Sequence, residues 1–329
     1  MRAPDFWGGE PGFLAELLTP LGSALDAAGR LRRAVVRPYR APAPVICVGN
    51  LVVGGSGKTP VTLSLAGILA ARGIDAAIVM RGYGGSLAGP VQVDLRRHDA
   101  TAVGDEALLA AAQAPCWVAR DRAAGVREAV ARGAAAIILD DGFQNPHIAK
   151  DRSLIAIDAA YGFGNGRLIP AGPLRERIAG GLDRADAIVL IGDGEVSVPA
   201  STPVLHATLE PVAGGRFAGV PVIAFAGIGR PAKFFASLRE LGVMFVAERG
   251  FPDHHAYRAA ELAALRREAK AAGALLVTTR KDWVRLPASE HAGIEVLDVA
   301  LRWRDPAALD MLLAPLIERI GDDRHPAPA

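Results

Sequence analysis

The strongest chemical signal in the sequence is a glycine-rich segment that ends in lysine and threonine. Residues 52–59 read Val-Val-Gly-Gly-Ser-Gly-Lys-Thr, after an apolar run at residues 45–48 and before a helical pattern. In that context backbone N–H groups can surround phosphate oxygens, Lys58 can reach the β- and γ-phosphates, and Thr59 can bind Mg²⁺. The residues predicted to bind a nucleoside triphosphate are Val52, Val53, Gly54, Gly55, Ser56, Gly57, Lys58 and Thr59. Val52 replaces the usual first glycine, so a glycine turn without a ligand is the alternative.

Acidic residues occur where phosphoryl transfer would need carboxylates. Asp140 and Asp141 follow the apolar run 134–139 and could help hold Mg²⁺; alternatively, Asp141 only opens a tight Asp-Gly turn. Asp105 precedes the helical stretch 107–112. It could be a general base for an acceptor hydroxyl, or it could only cap the helix. Spacing alone leaves both roles open.

A histidine and several arginines complete the chemical candidates. His254 follows Phe-Pro-Asp in the second half of the chain, from where it could reach a carboxylate across a cleft; a surface loop is the alternative, above all for His255. Arg81, Arg122 and Arg175 lie in loops after predicted strands, and guanidinium groups suit phosphate oxygens. Solvated arginines are the alternative in a chain this rich in arginine.

Composition limits the elements that could position these residues. With 329 residues, 51% of them hydrophobic, the chain can bury one large or two medium cores, and two α/β domains are favoured. A net charge of +2 does not indicate a nucleic-acid partner. The first residues lack the features of a signal peptide, and no uncharged apolar run approaches the ~18 residues of a spanning helix. We expect the protein to stay in the cytoplasm.

The alternation of short apolar runs with helical stretches predicts the fold. Within residues 41–191 it indicates a P-loop domain, a mostly parallel sheet with helices on both faces. The runs that predict its strands are 45–48, 76–80, 116–119, 135–139, 154–157 and 187–191. Ligands of such sheets bind beyond the carboxyl ends of the strands, so the polar residues after these runs should converge.

A second, smaller α/β domain is predicted for residues 220–320. Gly, Pro, Ser and Val dominate residues 192–219, which we interpret as a linker or extended β-ribbon, and residues 321–329 as a mobile tail. The predicted strands of the second domain are 221–226, 243–246, 275–278 and 294–299, and its predicted helices are 231–241, 258–272 and 306–320.

The first 40 residues indicate a helix of unusual composition. Their large apolar residues include Trp7, Phe13, Leu14, Leu17, Leu18, Leu21, Leu25 and Leu31, and a cluster of arginines follows from Arg30 to Arg40. Such a segment suits an amphipathic helix at a membrane surface, with its arginines near anionic lipid. Packing of the leucines on the domain is the alternative that periodicity leaves open.

Taken together, the motifs resemble the tetraacyldisaccharide 4′-kinase family of lipid A biosynthesis. The blocks that carry the resemblance are 48–60, 81–85, 104–106, 140–144, 163–166 with 170–177, 226–229 and 251–254. The resemblance implies transfer of the γ-phosphoryl of ATP to the 4′-hydroxyl of a tetraacyl disaccharide 1-phosphate, giving lipid IVA. It also implies two α/β/α domains joined by a β-ribbon, and a peripheral enzyme, which we expect to be a monomer, at the cytoplasmic face of the inner membrane.

The resemblance also implies roles for individual residues. Asp105 would be the catalytic base assisted by His254, with Lys58 on the ATP phosphates. The implied Mg²⁺ ligands are Thr59, Asp140, Asp141 and Glu176. The implied residues for the lipid are Arg81, Tyr83, Arg122 and Arg175, with Arg175 on its 1-phosphate. One departure is Arg280, where the family has an acidic residue in a Thr-Glu-Lys-Asp block.

Two further classes of protein fit parts of the sequence. A membrane-surface ATPase switch would carry a lysine at position 53, where this chain has Val53, and the histidine-bearing second half also argues against it. A kinase of a soluble sugar or nucleoside satisfies the P-loop, but the apolar first 40 residues favour a lipid.

Overall fold

Within residues 4–324, which a computed structural model describes, twelve strands form one sheet in the order β10-β9-β11-β12-β8-β7-β6-β1-β5-β2-β4-β3. The strands are β1 Val45–Gly49, β2 Ala76–Met80, β3 Val91–Gln92, β4 Cys116–Val118, β5 Ala136–Asp140, β6 Arg152–Asp158, β7 Ala187–Ile191, β8 Val204–Val212, β9 Pro221–Ala226, β10 Met244–Gly250, β11 Leu275–Thr279 and β12 Ile294–Trp303. The helices are α1 Phe13–Val35, α2 Lys58–Ala71, α3 Ala100–Val103, α4 Asp105–Ala111, α5 Arg122–Ala131, α6 Ile178–Leu182, α7 Pro231–Glu240, α8 Ala259–Ala272, α9 Arg280–Trp283 and α10 Pro306–Arg324.

The predicted fold class, a mostly parallel α/β sheet, is confirmed. The pairs β3–β4 and β8–β12 are antiparallel and the other neighbouring pairs are parallel. Strand β1 lies between β5 and β6, and all five of its residues are buried because helices cover both faces. The loops after β1 and β5 therefore leave the same edge of the sheet, which is where ligands of such sheets bind.

The segment predicted as a linker or ribbon contains a strand of the common sheet. Strand β8 pairs in parallel with β7 and antiparallel with β12. These pairs join β1 to β7, with the helices around them (the P-loop half), to residues 214–293 (the lobe). The ladder hydrogen bonds on both sides of β8 are the reason that the sheet is continuous.

Packing crosses the boundary that the sequence predicts. Helix α10 follows the lobe in the chain, but its buried Leu309, Leu313 and Leu316 share a hydrophobic cluster with Val61 and Leu65 of α2. The two predicted domains, residues 41–191 and 220–320, remain a prediction. Their boundary does not coincide with this packing, because α10 belongs to the second range and packs on the first. The predicted tail is also partly helical, since α10 continues to Arg324, and residues 325–329 lie outside the described residues.

Helix α1 presents an apolar face that is more exposed than covered within the described chain. Its side chains more than half exposed are Phe13, Leu14, Leu17, Leu21, Leu25, Leu31 and Val35. The opposite face is fixed at Gly22, where a Cβ would lie 2.9 Å from that of Leu168. Most of the leucines thus do not pack on the domain, although Trp7 and Leu18 are half-buried. Between residues 4 and 324, no helix combines the length and the apolar character that crossing a bilayer requires.

Candidate active site

The glycine-rich loop bends where its glycines permit. Gly54 and Gly57 have φ angles of +109° and +83°, a region that favours glycine. Val52 is instead buried and bridges Leu174 in an antiparallel pair. A valine is accepted at the usual first glycine because this position is extended and packed, so the unusual spelling of the motif has a structural reason.

Helix α2 begins at Lys58 with its N-terminal amide groups uncapped. Gly57 precedes the helix and offers no side-chain hydrogen bond. The exposed residues Gly54 and Gly55 lie in front of the helix, so phosphate oxygens could accept hydrogen bonds from their backbone and gain from the helix dipole, whereas the Val53 N–H already donates to the Pro173 carbonyl. Lys58 Nζ lies 3.9 Å from Asp141 Oδ1.

The carboxylate of Asp140 is arranged as a cation ligand would be. Thr59 Oγ1 donates to its Oδ2 at 3.4 Å, while its buried Oδ1 has no hydrogen-bond partner among the described residues. Burial raises the pKa of Asp140 to about 7, and the nearby charge of Glu106 contributes. An orphaned carboxylate oxygen beside a hydroxyl fits Mg²⁺, which takes its other ligands from phosphate and water. Among residues 4–324, no three His, Cys, Asp or Glu side chains are grouped so that they could hold a metal ion by themselves.

Asp141 holds two cations of the phosphate site. Arg175 Nη1 donates to its Oδ1 at 2.8 Å, and Lys58 faces the same oxygen. Burial would raise the pKa of Asp141, but the charges of Lys58 and Arg175 outweigh it and lower that pKa. Asp141 therefore balances the positive charge of the site.

Glu176, predicted as a metal ligand, is engaged elsewhere. Its Oε1 accepts from Gln144 Nε2 at 3.1 Å, and its Oε2 pairs with Arg184 and, at 3.3 Å, with Arg33. Gln144 also donates to the backbone carbonyl of Asn50 at 2.8 Å. Because its carboxylate is already neutralised and supports the P-loop, we do not place Glu176 in the proposed magnesium site.

A glycine places Asp105 at the first turn of α4. Gly104 has φ +86°, and a Cβ there would lie 2.4 Å from the carbonyl oxygen of Tyr83. This close approach joins the loop 81–85 to the start of α4. Asp105 is consequently buried, with 4% of its surface exposed, and its Oδ1 accepts the backbone N–H of Glu106 at 2.9 Å.

The lobe completes the environment of Asp105. His254 Nδ1 donates to Asp105 Oδ2 at 3.2 Å, the tautomer that an ionised carboxylate requires. Arg285 Nε donates to the same oxygen at 2.8 Å. His254 has φ +57° and its N–H donates to the Gly227 carbonyl at 3.0 Å, which fixes the ring in the loop after β10. The structure thus brings two of the predicted catalytic residues together from sequence positions 149 apart.

The second group of lobe contacts surrounds Glu106. Lys281 Nζ donates to Glu106 Oε1 at 2.6 Å. Behind it, buried Asp282 accepts from the Gly227 N–H at 2.8 Å and from Arg285 Nη1 at 3.0 Å. Lys281 and Asp282 could have been found by their position after β11, but Arg285 has no recognisable sequence signal.

Asp105 and His254 each shift the pKa of the other. Burial would raise the pKa of Asp105, but the hydrogen bond from His254 and the charges of Lys281 and Arg285 lower it well below its usual range. The hydrogen bond to Asp105 raises the pKa of His254 above its ordinary 6.5, against the effect of burial. The Asp105 contribution to stability is lost only in strong acid. The His254 contribution is complete below pH 6.5 and is lost as the pH rises through its folded pKa.

Replacing His254 by asparagine should flatten the pH dependence of stability above neutrality. Asparagine tolerates the positive φ but does not titrate. Between pH 6 and pH 9 the unmodified protein should lose more free energy of unfolding than the variant, by up to about 1 kcal/mol, because a partly exposed pair is screened. Urea unfolding at both pH values measures this difference. Equal pH slopes would show that the pair does not titrate in this range.

The residues predicted for the lipid lie at different depths. Arg81 and Tyr83 are exposed, and the Tyr83 ring lies 5.6 Å from that of His254. Arg122 is buried, its Nη1 donates to the Ala119 carbonyl at 3.0 Å, and burial lowers its pKa to about 10. Arg175 contacts Asp141, beside the phosphate loop.

Arg280, which replaces the acidic residue of the family's Thr-Glu-Lys-Asp block, donates to both carboxylate oxygens of Asp298 in β12.

In P-loop NTP-binding proteins, a phosphate loop follows one central strand and a carboxylate stands at the end of the neighbouring strand. Strands β1 and β5 show this arrangement, so the fold places this chain in that class. A family model described as tetraacyldisaccharide-1-P 4′-kinase matches residues 14–318. The chain belongs to this family, a family of phosphotransferases.

Individual relatives agree with the family model. The tetraacyldisaccharide 4′-kinase of Rhodospirillum centenum is 52% identical over 335 residues, covering 99% of both chains. That of Paramagnetospirillum magneticum is 51% identical over 98% of this chain and 99% of its own. The crystal structure of Aquifex aeolicus LpxK in complex with ATP is similar with a TM-score of 0.75 and 26% identity, covering 92% of this chain and 99% of that one.

Proposed function

We propose that this protein transfers the γ-phosphoryl of ATP to the 4′-hydroxyl of a tetraacyldisaccharide 1-phosphate. The observation that carries the proposal is Asp105 facing His254 and Arg285 beside a phosphate loop, in a chain of this kinase family. The bond between the γ-phosphorus and the β–γ bridging oxygen breaks, a bond to O4′ forms, and the hydroxyl proton leaves toward Asp105.

Asp105 has one oxygen suited to the acceptor. Arg285 and His254 occupy Oδ2, whereas among the described residues Oδ1 accepts only the Glu106 N–H, so one lone pair remains for the 4′-hydroxyl. Its lowered pKa keeps the carboxylate ionised at neutral pH. An ionised base of low pKa can take the proton only late in the transfer, so most of the rate must come from alignment and charge neutralisation.

Thr59 and Asp140 are the residues that we propose to hold Mg²⁺, with Asp141 next to them. The metal would neutralise charge on the phosphates when bound. Lys58 and the uncapped start of α2 bind and orient the phosphates.

We also propose that the protein acts as a monomer at the cytoplasmic face of the inner membrane, with the apolar face of α1 in the headgroup boundary. Arginines near the end of α1, such as Arg32, would meet anionic lipid. The lipid acceptor could then present its sugar to the site without leaving the bilayer.

Replacing Leu17 and Leu21 together by glutamate should weaken binding to vesicles of phosphatidylglycerol by about 10- to 100-fold. Leu17 and Leu21 have only a little more than half of their surface left to bury, so each stabilises the bound state by roughly 0.7–1.5 kcal/mol through apolar area removed from water. Co-sedimentation with the vesicles measures the effect. Met311→Glu, at an exposed apolar side chain of α10, is the control. Unchanged vesicle binding of the double variant would remove α1 from the membrane contact.

Transfer of label from γ-labelled ATP to the lipid in detergent micelles tests the function itself. The same disaccharide without acyl chains serves as the soluble acceptor. Labelled lipid is expected. ATP hydrolysis without labelled lipid would favour the ATPase switch, and equal labelling of the unacylated sugar would favour a soluble-sugar kinase.

A further inference from the structure

The backbone around Arg175 is built onto the phosphate loop. The N–H of Arg175 donates to the Leu51 carbonyl at 2.8 Å, and the N–H of Val53 donates to the Pro173 carbonyl at 2.8 Å. Between these hydrogen bonds, Val52 and Leu174 form an antiparallel bridge and are both buried. The position of Arg175 is therefore fixed relative to the loop that receives the phosphates.

The side chain of Arg175 points to the same atom as the P-loop lysine. Arg175 Nη1 donates to Asp141 Oδ1 at 2.8 Å, and Lys58 Nζ lies 3.9 Å from that oxygen. Two cations that share one acceptor oxygen reach a common volume. A phosphate oxygen that draws Lys58 from Asp141 lies within reach of Arg175 as well.

We propose that Arg175 is a catalytic residue that binds the γ-phosphoryl group during its transfer, and that it does not bind the 1-phosphate of the lipid. This inference rests on the proposed function. The 1-phosphate and the 4′-hydroxyl stand at opposite ends of the disaccharide, so a residue beside Lys58 faces the reacting end. A guanidinium fork can follow the equatorial oxygens as charge spreads over them, while Asp141 holds the fork until the phosphate arrives.

The first test compares the affinities for ATP and ADP, which needs no acceptor and no turnover. Titration calorimetry should show that Arg175→Ala loses about 10- to 100-fold of the preference for ATP, as expected for one charged hydrogen-bonding partner of the γ-phosphate. Arg175→Lys should keep part of it. Arg132→Ala, at an exposed arginine directly after α5, is the matched control. An unchanged ratio in Arg175→Ala would overturn the proposal.

The second test separates the two ends of the acceptor. Arg175→Ala should lower kcat by about 10²- to 10³-fold, with KM for the lipid changed less than twofold. Removing the 1-phosphate from the lipid should affect the variant and the unmodified protein equally, since independent contacts are additive. If removal costs the variant nothing, Arg175 binds the 1-phosphate and the proposal is wrong.

Failure of this inference and of the proposed function can be told apart. If the intact protein labels no lipid, the proposed function fails, yet the ATP and ADP affinities still report on Arg175. Should Arg175→Ala not fold by circular dichroism, Arg175→Lys decides. The Arg175→Lys variant keeps the positive charge but lacks the two-pronged guanidinium, so its kcat should fall at least about tenfold. Full activity of this variant would overturn the role of the guanidinium.

Discussion

Replacing Asp105 by asparagine lowers kcat by about 10²- to 10⁴-fold if the carboxylate accepts the proton of the 4′-hydroxyl. Asparagine keeps the size of the side chain and can still accept from Arg285, but it carries no charge and takes no proton. The buried pair with Arg285, whose side chain is only 6% exposed, loses its negative partner. Steady-state labelling of the lipid at saturating ATP measures the effect.

Stability and catalysis can be separated in this variant. Asp310→Asn removes a carboxylate from a surface pair with Arg72 and is the matched control, for which we expect unchanged kcat. Asp105→Asn should also return the pKa of His254 toward 6.5, because its largest cause is removed. A variant with normal kcat and a shifted histidine pKa would leave Asp105 as a structural residue only.

Replacing Lys58 by alanine should lower kcat by about 10²- to 10³-fold and weaken ATP binding. Phosphoryl transfer depends on positioning and charge neutralisation, and Lys58 is the cation that begins helix α2 beside the phosphate loop. Asp141 would then face Arg175 without its second cation. Lipid labelling and titration calorimetry with ATP measure the two effects.

Lys270→Ala, on the exposed face of α8, is the control for Lys58→Ala. We expect its kcat and ATP affinity to be unchanged. Because removal of Lys58 leaves α2 and its apolar contacts in place, the melting temperature of Lys58→Ala should remain within a few degrees. Retention of both kcat and ATP affinity by Lys58→Ala would refute a nucleotide role for the loop.

The fold and one part of the site were predictable because their signals are local. The apolar runs predicted six of the seven strands of the P-loop half to within two residues at each end and missed the short β3, and strand order in a parallel sheet brings the ends of β1 and β5 together. Thr59 and Asp140 could be placed by that rule. Asp105 and His254, by contrast, were joined through family resemblance, since no local rule predicts which loops of two halves meet.

The remainder depended on contacts that a linear pattern does not encode. Arg285 lies 180 residues from Asp105, on a turn that only the packing of the lobe brings to α4. Glu176 follows Arg175 directly, yet it accepts hydrogen bonds from Arg184 and Gln144 and does not contact Asp140 or Asp141 in any described hydrogen bond or ion pair. The packing of α10 on α2 was equally invisible, because an amphipathic helix does not reveal which core it covers.

The return of α10 to the P-loop half has a consequence for the order of events during synthesis. Strand β1 and helix α2 leave the ribosome early, but the apolar surface that α10 covers stays open until the whole lobe has been translated. The lobe and the start of strand β12, which follows it, can close two hydrophobic clusters within residues 217–297 before then. At about 5–20 residues per second the nascent P-loop half waits several seconds in a state open to chaperones. A stop codon directly before residue 306 would therefore release a finished lobe attached to a P-loop half whose apolar surface at α2 is uncovered.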